Sequence, residues 1–383
     1  MEWLSDALAA HTLEVAGVAL GLLFLGAVIA ALPMSLIRGR TTPSAKPQQR
    51  AAPGSSHAIA EGAKPGRDTF VANILTGRNL WARPLEEDPQ RPILVQNGGI
   101  PIITIANLKG GVGKTTITAN LAAYFSHINK RALLIDLDYQ GSLTATLLTT
   151  TGKVADFSGT QTAERFLQAK AEAADVKDAI IDLNPTLNAG LVPSYYELQQ
   201  SEDTLMLSWL AGLEPRDIRF SLSRVLSDPL IQNNYDLVIM DAPPRLTAGF
   251  VNALCATTHL FIPAILDKLS AEAATYFARQ VVTLADPLFP EIILGGVIPS
   301  RTSGLTNDML NPYEAAIANY LDRELNVLWG HPEAVLRHAK IPNGEVFARV
   351  AGHDIAFYAG HEPARARLMA LGAAIGTVIG VDP

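Results

Sequence analysis

The sequence predicts an α/β protein, a mostly parallel sheet with helices on both faces, preceded by one transmembrane helix. Three observations lead to this prediction. After residue 99, short apolar runs alternate with amphipathic stretches, and a glycine-rich loop stands between one such run and the next helix. Near the N-terminus, the block Val15–Ile37 contains no charged residue, which is typical of a membrane span.

The predicted strands are apolar runs short enough to be buried on both faces of a sheet. They are Ile102–Ala106, Ala132–Asp136, Leu237–Asp241, His259–Pro263 and Ile292–Ile298. The predicted helices lie between or after these runs and repeat their apolar residues every three to four positions. They are Thr115–Ile128, Ala163–Ala174, Ile218–Leu226, Ser270–Ala285 and Pro363–Ile375. This alternation predicts one α/β domain over residues 93–383.

The block Val15–Ile37 is long enough to cross a bilayer, since it extends about 34 Å as a helix. Residues 1–14 carry acidic but no basic side chains, which is unlike the positive start of a cleaved signal peptide. Four basic residues follow the block: Arg38, Arg40, Lys46 and Arg50. The positive-inside rule therefore predicts a single-pass inner-membrane protein with an extracytoplasmic segment 1–14 and a cytoplasmic domain.

Residues 38–92 have the composition of a flexible linker, with several prolines and glycines and few large aliphatic residues. Towards its end, Trp81 and the apolar residues before it are candidates to dock onto the following domain. Within the predicted span, Gly17 and Gly21 have the spacing of a helix-dimerisation motif. That spacing also arises by chance in a segment rich in glycine and alanine.

Composition excludes several classes of protein. Of the 383 residues, 48% are hydrophobic and 17% charged, which excludes a mostly disordered chain and a coiled coil. The net charge of −7 argues against a strongly basic protein that coats nucleic acid. Cys255 is the single cysteine, so the chain has no internal disulfide and no cysteine cluster for zinc or iron–sulfur.

The strongest motif is the segment Lys109–Thr116, which lies between a predicted strand and a predicted helix. Its glycines let the backbone curl so that N–H groups converge on phosphate oxygens at the positive end of the helix. A lysine in this setting reaches the β- and γ-phosphates, and the next hydroxyl binds Mg²⁺. We therefore expect a nucleotide to contact Gly110, Gly111, Val112, Gly113, Lys114, Thr115 and Thr116.

Two further motifs supply carboxylates near this loop. The apolar run Tyr235–Asp241 ends in Asp241, which is suited to contact Mg²⁺ through water because Mg²⁺ takes few protein ligands. In Leu134–Gly141, strand alternation puts Asp136 and Asp138 on one face, at the sheet edge where open α/β folds bind ligands. One can orient an attacking water and the other can support the metal shell. Each carboxylate can also belong to an ordinary solvated turn.

Together these motifs resemble the ParA/MinD family of deviant Walker ATPases, on the segments Lys109–Thr116, Asp136–Gly141 and Asp241–Pro244. A fourth segment, Val297–Ser300, is similar to the late strand and adenine loop of that family. The likeness extends from residue 100 to about 345. It implies a P-loop NTPase fold, ATP and Mg²⁺ as cofactors, and an ATP-dependent homodimer.

The resemblance also implies individual roles. Lys109 would be the signature lysine, which reaches across an ATP-sandwich dimer to the phosphates of the other subunit. Lys114 and Asp138 are the other implied catalytic residues, and Asp138 would position the hydrolytic water. Thr115 and Asp241 are the implied Mg²⁺ ligands.

Three implied nucleotide contacts lie outside the loop: Asn120 at the loop–helix junction, Asp136, and Pro299 near the adenine. One residue departs from the family, because Tyr139 stands where the pattern Asp-x-Asp-Pro-Gln has proline. That change leaves the carboxylates in place and predicts an altered switch segment. The predicted N-terminal span is a second departure, since typical members are soluble or attach by a C-terminal amphipathic helix.

We therefore expect a membrane-anchored ATPase that binds Mg-ATP, dimerises and hydrolyses ATP slowly to control recruitment or positioning of a partner or cargo. A bacterial-tyrosine-kinase-like protein and an ATP-binding scaffold with negligible hydrolysis remain alternatives. Such kinases carry a C-terminal tyrosine cluster, whereas the chain beyond Ala351 has one tyrosine, Tyr358.

Nucleic-acid binding has little support in the sequence, because seven basic residues stand against nine acidic ones after residue 300. Folding can still gather a small basic face, from Arg337, His338, Lys340 and Arg349.

Overall fold

The computed structural model describes residues 81, 98–155, 162–289, 291–303, 309–344, 347, 353–360 and 362–381. All of them belong to the unit Pro65–Pro383. The segment 1–14, the predicted membrane span 15–37 and the predicted linker other than Trp81 lie outside the described residues. Within the part that is described, no helix combines the length and the hydropathy needed to cross a membrane.

One sheet of eight strands organises the described residues. The strands are β1 Ile102–Ile105, β2 Ala132–Asp136, β3 Ile181–Asp182, β4 Ala189–Val192, β5 Leu237–Asp241, β6 His259–Ile265, β7 Ile293–Thr302 and β8 Ile341–Pro342. Their order is β3-β4-β2-β5-β1-β6-β7-β8, and every neighbouring pair is parallel except β3 with β4.

Helices cover both faces of this sheet. They are α1 Lys114–His127, α2 Ser142–Thr151, α3 Glu164–Leu167, α4 Ala173–Val176, α5 Glu197–Leu210, α6 Ser221–Leu226, α7 Pro229–Gln232, α8 Ala248–Ala256, α9 Lys268–Leu288, α10 Pro312–Trp329, α11 Ala356–Ala359 and α12 Glu362–Ile379. Strand alternation feeds both layers, since Ile102 of β1 packs with α5 and α8–α10, whereas Ile103 and Ile105 pack with α1 and α12. This confirms the predicted α/β class.

The five predicted strands are present, and the differences concern short strands and several helices. The predicted helix Ala163–Ala174 is two helices, α3 and α4, because the chain turns to an extended conformation at Gln168. Ile218–Phe220 is a 3₁₀ turn that leads into α6. Three further elements were not predicted: β4, which is four residues long, and the long helices α5 and α10.

Trp81, although inside the predicted linker, is buried and docks onto the domain as its sequence context predicted. Its ring stacks on Trp209 with centroids 5.9 Å apart, and its carbonyl oxygen accepts a 2.8 Å hydrogen bond from Arg219. Arg219 is itself buried and pairs with Asp217 at 2.5 Å. Trp81 therefore packs on the domain from within the segment that the sequence predicted as linker.

The described members of the suggested basic face, Arg337, His338 and Lys340, do not form one. Lys340 is fully buried and donates to the carbonyl oxygen of Met309 at 2.9 Å. Arg337 pairs with Asp322 at 2.5 Å, and Arg349 lies outside the described residues. Two of these four cations are therefore already engaged within the fold.

Helix α12 supports the phosphate-loop helix α1 through one close approach. Gly372 lies against Tyr124, and a Cβ atom at position 372 would overlap the tyrosine ring. We expect Gly372→Ala to lower the free energy of unfolding by about 1–3 kcal/mol because the packed ring cannot move without strain. Urea unfolding measures this, with Thr377→Ala on the exposed side of the same helix as control, expected within about 0.5 kcal/mol of wild type. Equal stability of the two variants would contradict the prediction.

Candidate nucleotide-binding site

The carboxyl ends of the central strands surround a cavity of about 500 Å³. The loop after β1, the loop after β2 and the loop after β5 reach this edge because β2, β5 and β1 are neighbours in the sheet. Seven predicted nucleotide contacts line the cavity together with Asp138: Gly110, Gly111, Gly113, Lys114, Thr115, Thr116 and Asn120. The structure therefore brings most of the predicted site residues to one place.

The loop before α1 is shaped as an anion cradle. Gly111 and Gly113 have φ angles of 72° and 88°, the left-handed region that favours glycine, and a Cβ atom at either position would meet no atom within 4 Å. The backbone therefore curls around open space at the N-terminus of α1, where N–H groups attract phosphate. Val112, predicted to contact the nucleotide, is fully buried and does not line the cavity, so its side chain serves packing.

A metal-ready pair lies beneath the cradle. The hydroxyl of Thr115 donates to Asp241 Oδ2 at 2.7 Å. Asp241 Oδ1 is buried and has no hydrogen-bond partner in the structure. An orphaned carboxylate oxygen beside a threonine hydroxyl fits Mg²⁺ with its water shell, because Mg²⁺ takes one or two carboxylates plus waters and phosphates. Thr115 and Asp241 are therefore the residues that would hold the ion.

Burial shifts the pKa values of Lys114 and of Asp241 beside it in opposite directions. Burial lowers the pKa of Lys114, against the charges of Asp241 and Asp138, which raise it. Burial raises the pKa of Asp241 well above its usual value, and the neighbouring charge of Asp136 raises it further. Both pKa shifts arise because burial removes these groups from water and disfavours their charged forms. A polyanion that binds together with its cation brings opposite charges to Lys114 and Asp241, which favours its binding.

Asp136 lies deeper than predicted. It does not line the cavity, and its Oδ2 accepts hydrogen bonds from the backbone N–H and the hydroxyl of Thr144 at 2.9 and 2.7 Å. Its Oδ1 accepts from the backbone N–H of Asp138 at 3.1 Å. Asp136 therefore anchors the loop after β2 to α2, whereas Asp138 lines the cavity.

Lys109 lies at the start of the loop but does not line the cavity. Its Nζ donates to the hydroxyl of Ser270 at 2.5 Å, and this hydroxyl donates to Asp267 at 2.7 Å. Burial works to raise the pKa of Asp267, but the hydrogen bonds from Ser270 and the charge of Lys109 outweigh it and lower that pKa. Lys109 is thus held at the N-terminus of α9.

The two remaining predicted nucleotide contacts, Asn120 and Pro299, lie in different places. Asn120 donates to the carbonyl oxygen of Thr116 at 2.7 Å and accepts from the N–H of Phe357 at 2.8 Å, so it ties α1 to the C-terminal region. Pro299 is buried in β7, opposite Ala264, and does not line the cavity. The next two residues do: Ser300 and Arg301.

Sequence reasoning missed Asn107. This buried residue donates to the carbonyl oxygen of Pro263 at 2.8 Å and accepts from the N–H of Lys109 at 2.9 Å, which fixes the loop to the end of β6. A polar residue directly between an apolar strand and a glycine loop was the available signal. It also missed the wall formed by Ile341–Gly344, whose residues follow or form the two-residue strand β8.

This chain is similar in sequence to known proteins. The family model described as "AAA domain" (AAA_31) matches residues 100–292, just over half of the chain. The sporulation initiation inhibitor protein Soj of Bacillus subtilis is 31% identical over 54% of this chain and 74% of its own length. The chromosome-partitioning ATPase Soj of Thermus thermophilus is 30% identical over 53% of this chain and 70% of its own.

Solved structures show the same fold at lower identity. The ATP complex of a singly substituted McdA from Cyanothece superposes with a TM-score of 0.58 and 22% identity, over 74% of this chain and 98% of that one. A putative plasmid partition protein of Borrelia burgdorferi bound to AMPPNP has a TM-score of 0.53 and 22% identity, over 73% and 98% of the two chains.

The pKa of Asp136 generates a stability prediction. Burial raises this pKa to about 7, against the lowering effect of the Thr144 hydrogen bonds, whereas an unfolded aspartate titrates near ~3.9. Between these values the folded state holds a proton that the unfolded state has lost. Without nucleotide and Mg²⁺, the free energy of unfolding should therefore fall as pH rises from about 4 to about 7.

Asp136→Asn should flatten this fall, and urea unfolding at a series of pH values measures it. Asp178→Asn, at an exposed carboxylate, is the control and should keep the wild-type slope. Identical slopes in both variants would show that Asp136 does not carry the effect.

Proposed function

We propose, because this chain belongs to the ParA/Soj family of P-loop ATPases, that it binds Mg-ATP and hydrolyses it slowly. The observation that carries this proposal is the open glycine cradle above the Thr115–Asp241 hydrogen bond and the buried Lys114 ammonium. These three features supply backbone donors, a metal position and a cation for one triphosphate.

The described residues divide the work of hydrolysis. Lys114 would neutralise charge on the β- and γ-phosphates, and Thr115 and Asp241 would hold Mg²⁺. When bound, that ion would supply positive charge that stabilises the negative charge of the transferred phosphoryl group. Asp138 lines the cavity across from the loop and positions the water that attacks the terminal phosphoryl group. Ile341–Gly344 and Arg301 line the same cavity, and we assign this wall to the base of the nucleotide.

The position of Lys109 supports an ATP-dependent homodimer. Its ammonium is held by Ser270, so it needs a competing anion to leave, and the resemblance implies that the phosphates of a second subunit provide one. Leu269 and Tyr276 stand on the same helix with 73% and 61% exposure. Exposed large apolar side chains beside the signature lysine favour an interface at this face.

We also propose that the domain works at the membrane, tethered by residues 15–37, and that its nucleotide state governs recruitment or positioning of a partner or cargo. The uncharged block and the basic residues after it support the tether. The Soj protein of Thermus thermophilus, which is similar to this chain, is a chromosome-partitioning ATPase, and this similarity supports a cargo-positioning role.

The central test separates binding from turnover. Asp138→Ala should keep ATP binding and lose phosphate release by about 100-fold or more, because the attacking water is no longer oriented. Lys114→Ala should lose ATP binding itself, because the charge that faces the phosphates is removed. Equilibrium ATP binding and phosphate release measure the two effects.

Unchanged ATP affinity in Lys114→Ala would contradict the site, and normal turnover in Asp138→Ala would contradict the assigned role. ATP binding by wild type without phosphate release would favour the scaffold alternative. Stable transfer of labelled phosphate to tyrosine would favour the kinase alternative.

The tether is tested by charges placed in the span. The double substitution Leu23→Arg and Leu25→Arg should release the full chain from membranes, since each central arginine costs about 2.5–3.5 kcal/mol on insertion. Alkaline carbonate extraction of cell membranes measures this, and Leu23→Ile is the conservative control that should stay in the pellet. A wild-type chain found entirely in the supernatant would refute the tether.

A further inference from the structure

Three side chains form a stack across the carboxyl ends of neighbouring strands. Tyr139 follows β2, Tyr196 follows β4 and Arg245 follows β5, and the sheet order places β4, β2 and β5 side by side. The guanidinium carbon of Arg245 lies 4.2 Å from the centroid of the Tyr139 ring. The rings of Tyr139 and Tyr196 are 6.3 Å apart at 59°. The stack therefore joins the loop that carries Asp138 to the loop that follows Asp241.

The guanidinium of Arg245 contacts the face of the Tyr139 ring, beside one buried carboxylate. Its Nε is buried and has no hydrogen-bond partner in the structure. The acidic group that faces it is Glu202 of α5, whose carboxylate is already engaged by the N–H of Gly249 at 2.6 Å. A guanidinium over an aromatic face is attracted by the ring quadrupole, and the attraction grows when the pair is partly shielded from water.

Tyr139 is also the residue that departs from the family pattern, where a proline follows the second aspartate. Proline restrains the loop covalently, because its ring fixes φ. Tyrosine has no such restraint, and the hydrogen bonds that hold Asp138 are local: its N–H donates to Asp136, and its Oδ1 accepts from the N–H of Gln140 at 3.1 Å. A side-chain contact on Tyr139 can supply the missing restraint.

We propose that the Arg245–Tyr139 stack positions Asp138 for hydrolysis in place of the proline. Tyr139 and Arg245 are positioning residues, since neither lines the cavity. The inference rests on the proposed ATPase function and adds two residues that set its rate. It states that turnover depends on the stack while ATP affinity does not.

The experiment is a double-mutant cycle with a proline rescue. Arg245→Ala should lower kcat for ATP about five-fold, the order expected for loss of one partly exposed cation–π contact, with KM and ATP affinity unchanged. Tyr139→Phe keeps the ring and should stay within about two-fold of wild type. In a Tyr139→Pro background, which restores the family residue, Arg245→Ala should have no further effect on kcat.

The chain offers a matched control at the opposite edge of the same two strands. Arg131 precedes β2, and Tyr235 precedes β5. The guanidinium carbon of Arg131 lies 5.2 Å from the centroid of the Tyr235 ring. Arg131→Ala removes the same kind of contact between the same strands, far from Asp138, and should leave kcat at the wild-type value. An equal fall in kcat in Arg131→Ala and Arg245→Ala would show general loosening of the sheet and overturn the inference.

The remaining outcomes separate this inference from the proposed function. Wild-type turnover with unchanged kcat in Arg245→Ala overturns the stack alone. The same holds if Arg245→Ala lowers kcat as much in the Tyr139→Pro background as in wild type. Absence of turnover in the wild-type chain overturns the ATPase proposal and this inference with it. Loss of kcat in Arg245→Ala, retention in Tyr139→Phe and independence in Tyr139→Pro support it.

Discussion

Two buried carboxylates on adjacent strands impose the main constraint on this molecule. Asp136 and Asp241 are paired in register at the ends of β2 and β5, and each is at most 1% exposed. Like charges removed from water are costly unless donors and cations surround them. Thr144 satisfies Asp136 from within the fold, whereas Asp241 has Thr115, Lys114 and one orphaned oxygen. Asp241 of the unliganded protein thus lacks part of the polar contacts that a buried carboxylate needs. A hydrated cation and its phosphates can supply them.

Strand order explains why segments distant in the sequence meet beside these two carboxylates. In the order β4-β2-β5-β1-β6, five neighbouring parallel strands end at the same edge. Each contributes one element: Tyr196 after β4, Asp138 after β2, Asp241 at the end of β5, the glycine loop after β1, and Pro263 of β6, which holds Asn107. A ligand at this edge therefore contacts several loops at once, which is the general position for ligands in open α/β sheets.

Two aromatic contacts border one helix, α5. Tyr196 stands directly before its first residue and touches Tyr139, next to Asp138. Trp209 lies in its last turn and stacks on Trp81. Trp81 thus packs on the same helix that borders the loop carrying Asp138. Buried Arg219 secures this end of the helix through its bonds to Asp217 and Trp81.

Local patterns were sufficient to predict the central strands, the glycine loop and the carboxylates, because each depends on residues close in sequence. Strand burial follows from runs of apolar residues, and the conformation of the loop follows from Gly111 and Gly113. The same reasoning missed β3 and β8, because strands of two residues carry no pattern, and it missed β4, because this strand begins with Ala189 and Gly190 and so lacks a continuous run of large apolar residues. It failed for Ala163–Ala174 because helical spacing does not show where tertiary contacts interrupt a helix.

What the sequence alone determined is the inventory of the site: a phosphate loop, a lysine before it, and aspartates at two strand ends. What tertiary structure decided is the division of labour among them. Strand alternation predicted Asp136 and Asp138 on one face. In the structure, Asp136 accepts hydrogen bonds from Thr144, whereas Asp138 lines the cavity. Lys109 lies on Ser270, 161 positions away, and Arg245 on Tyr139. Such contacts join residues far apart in the chain, so their geometry depends on how the strands are ordered and not on any local pattern.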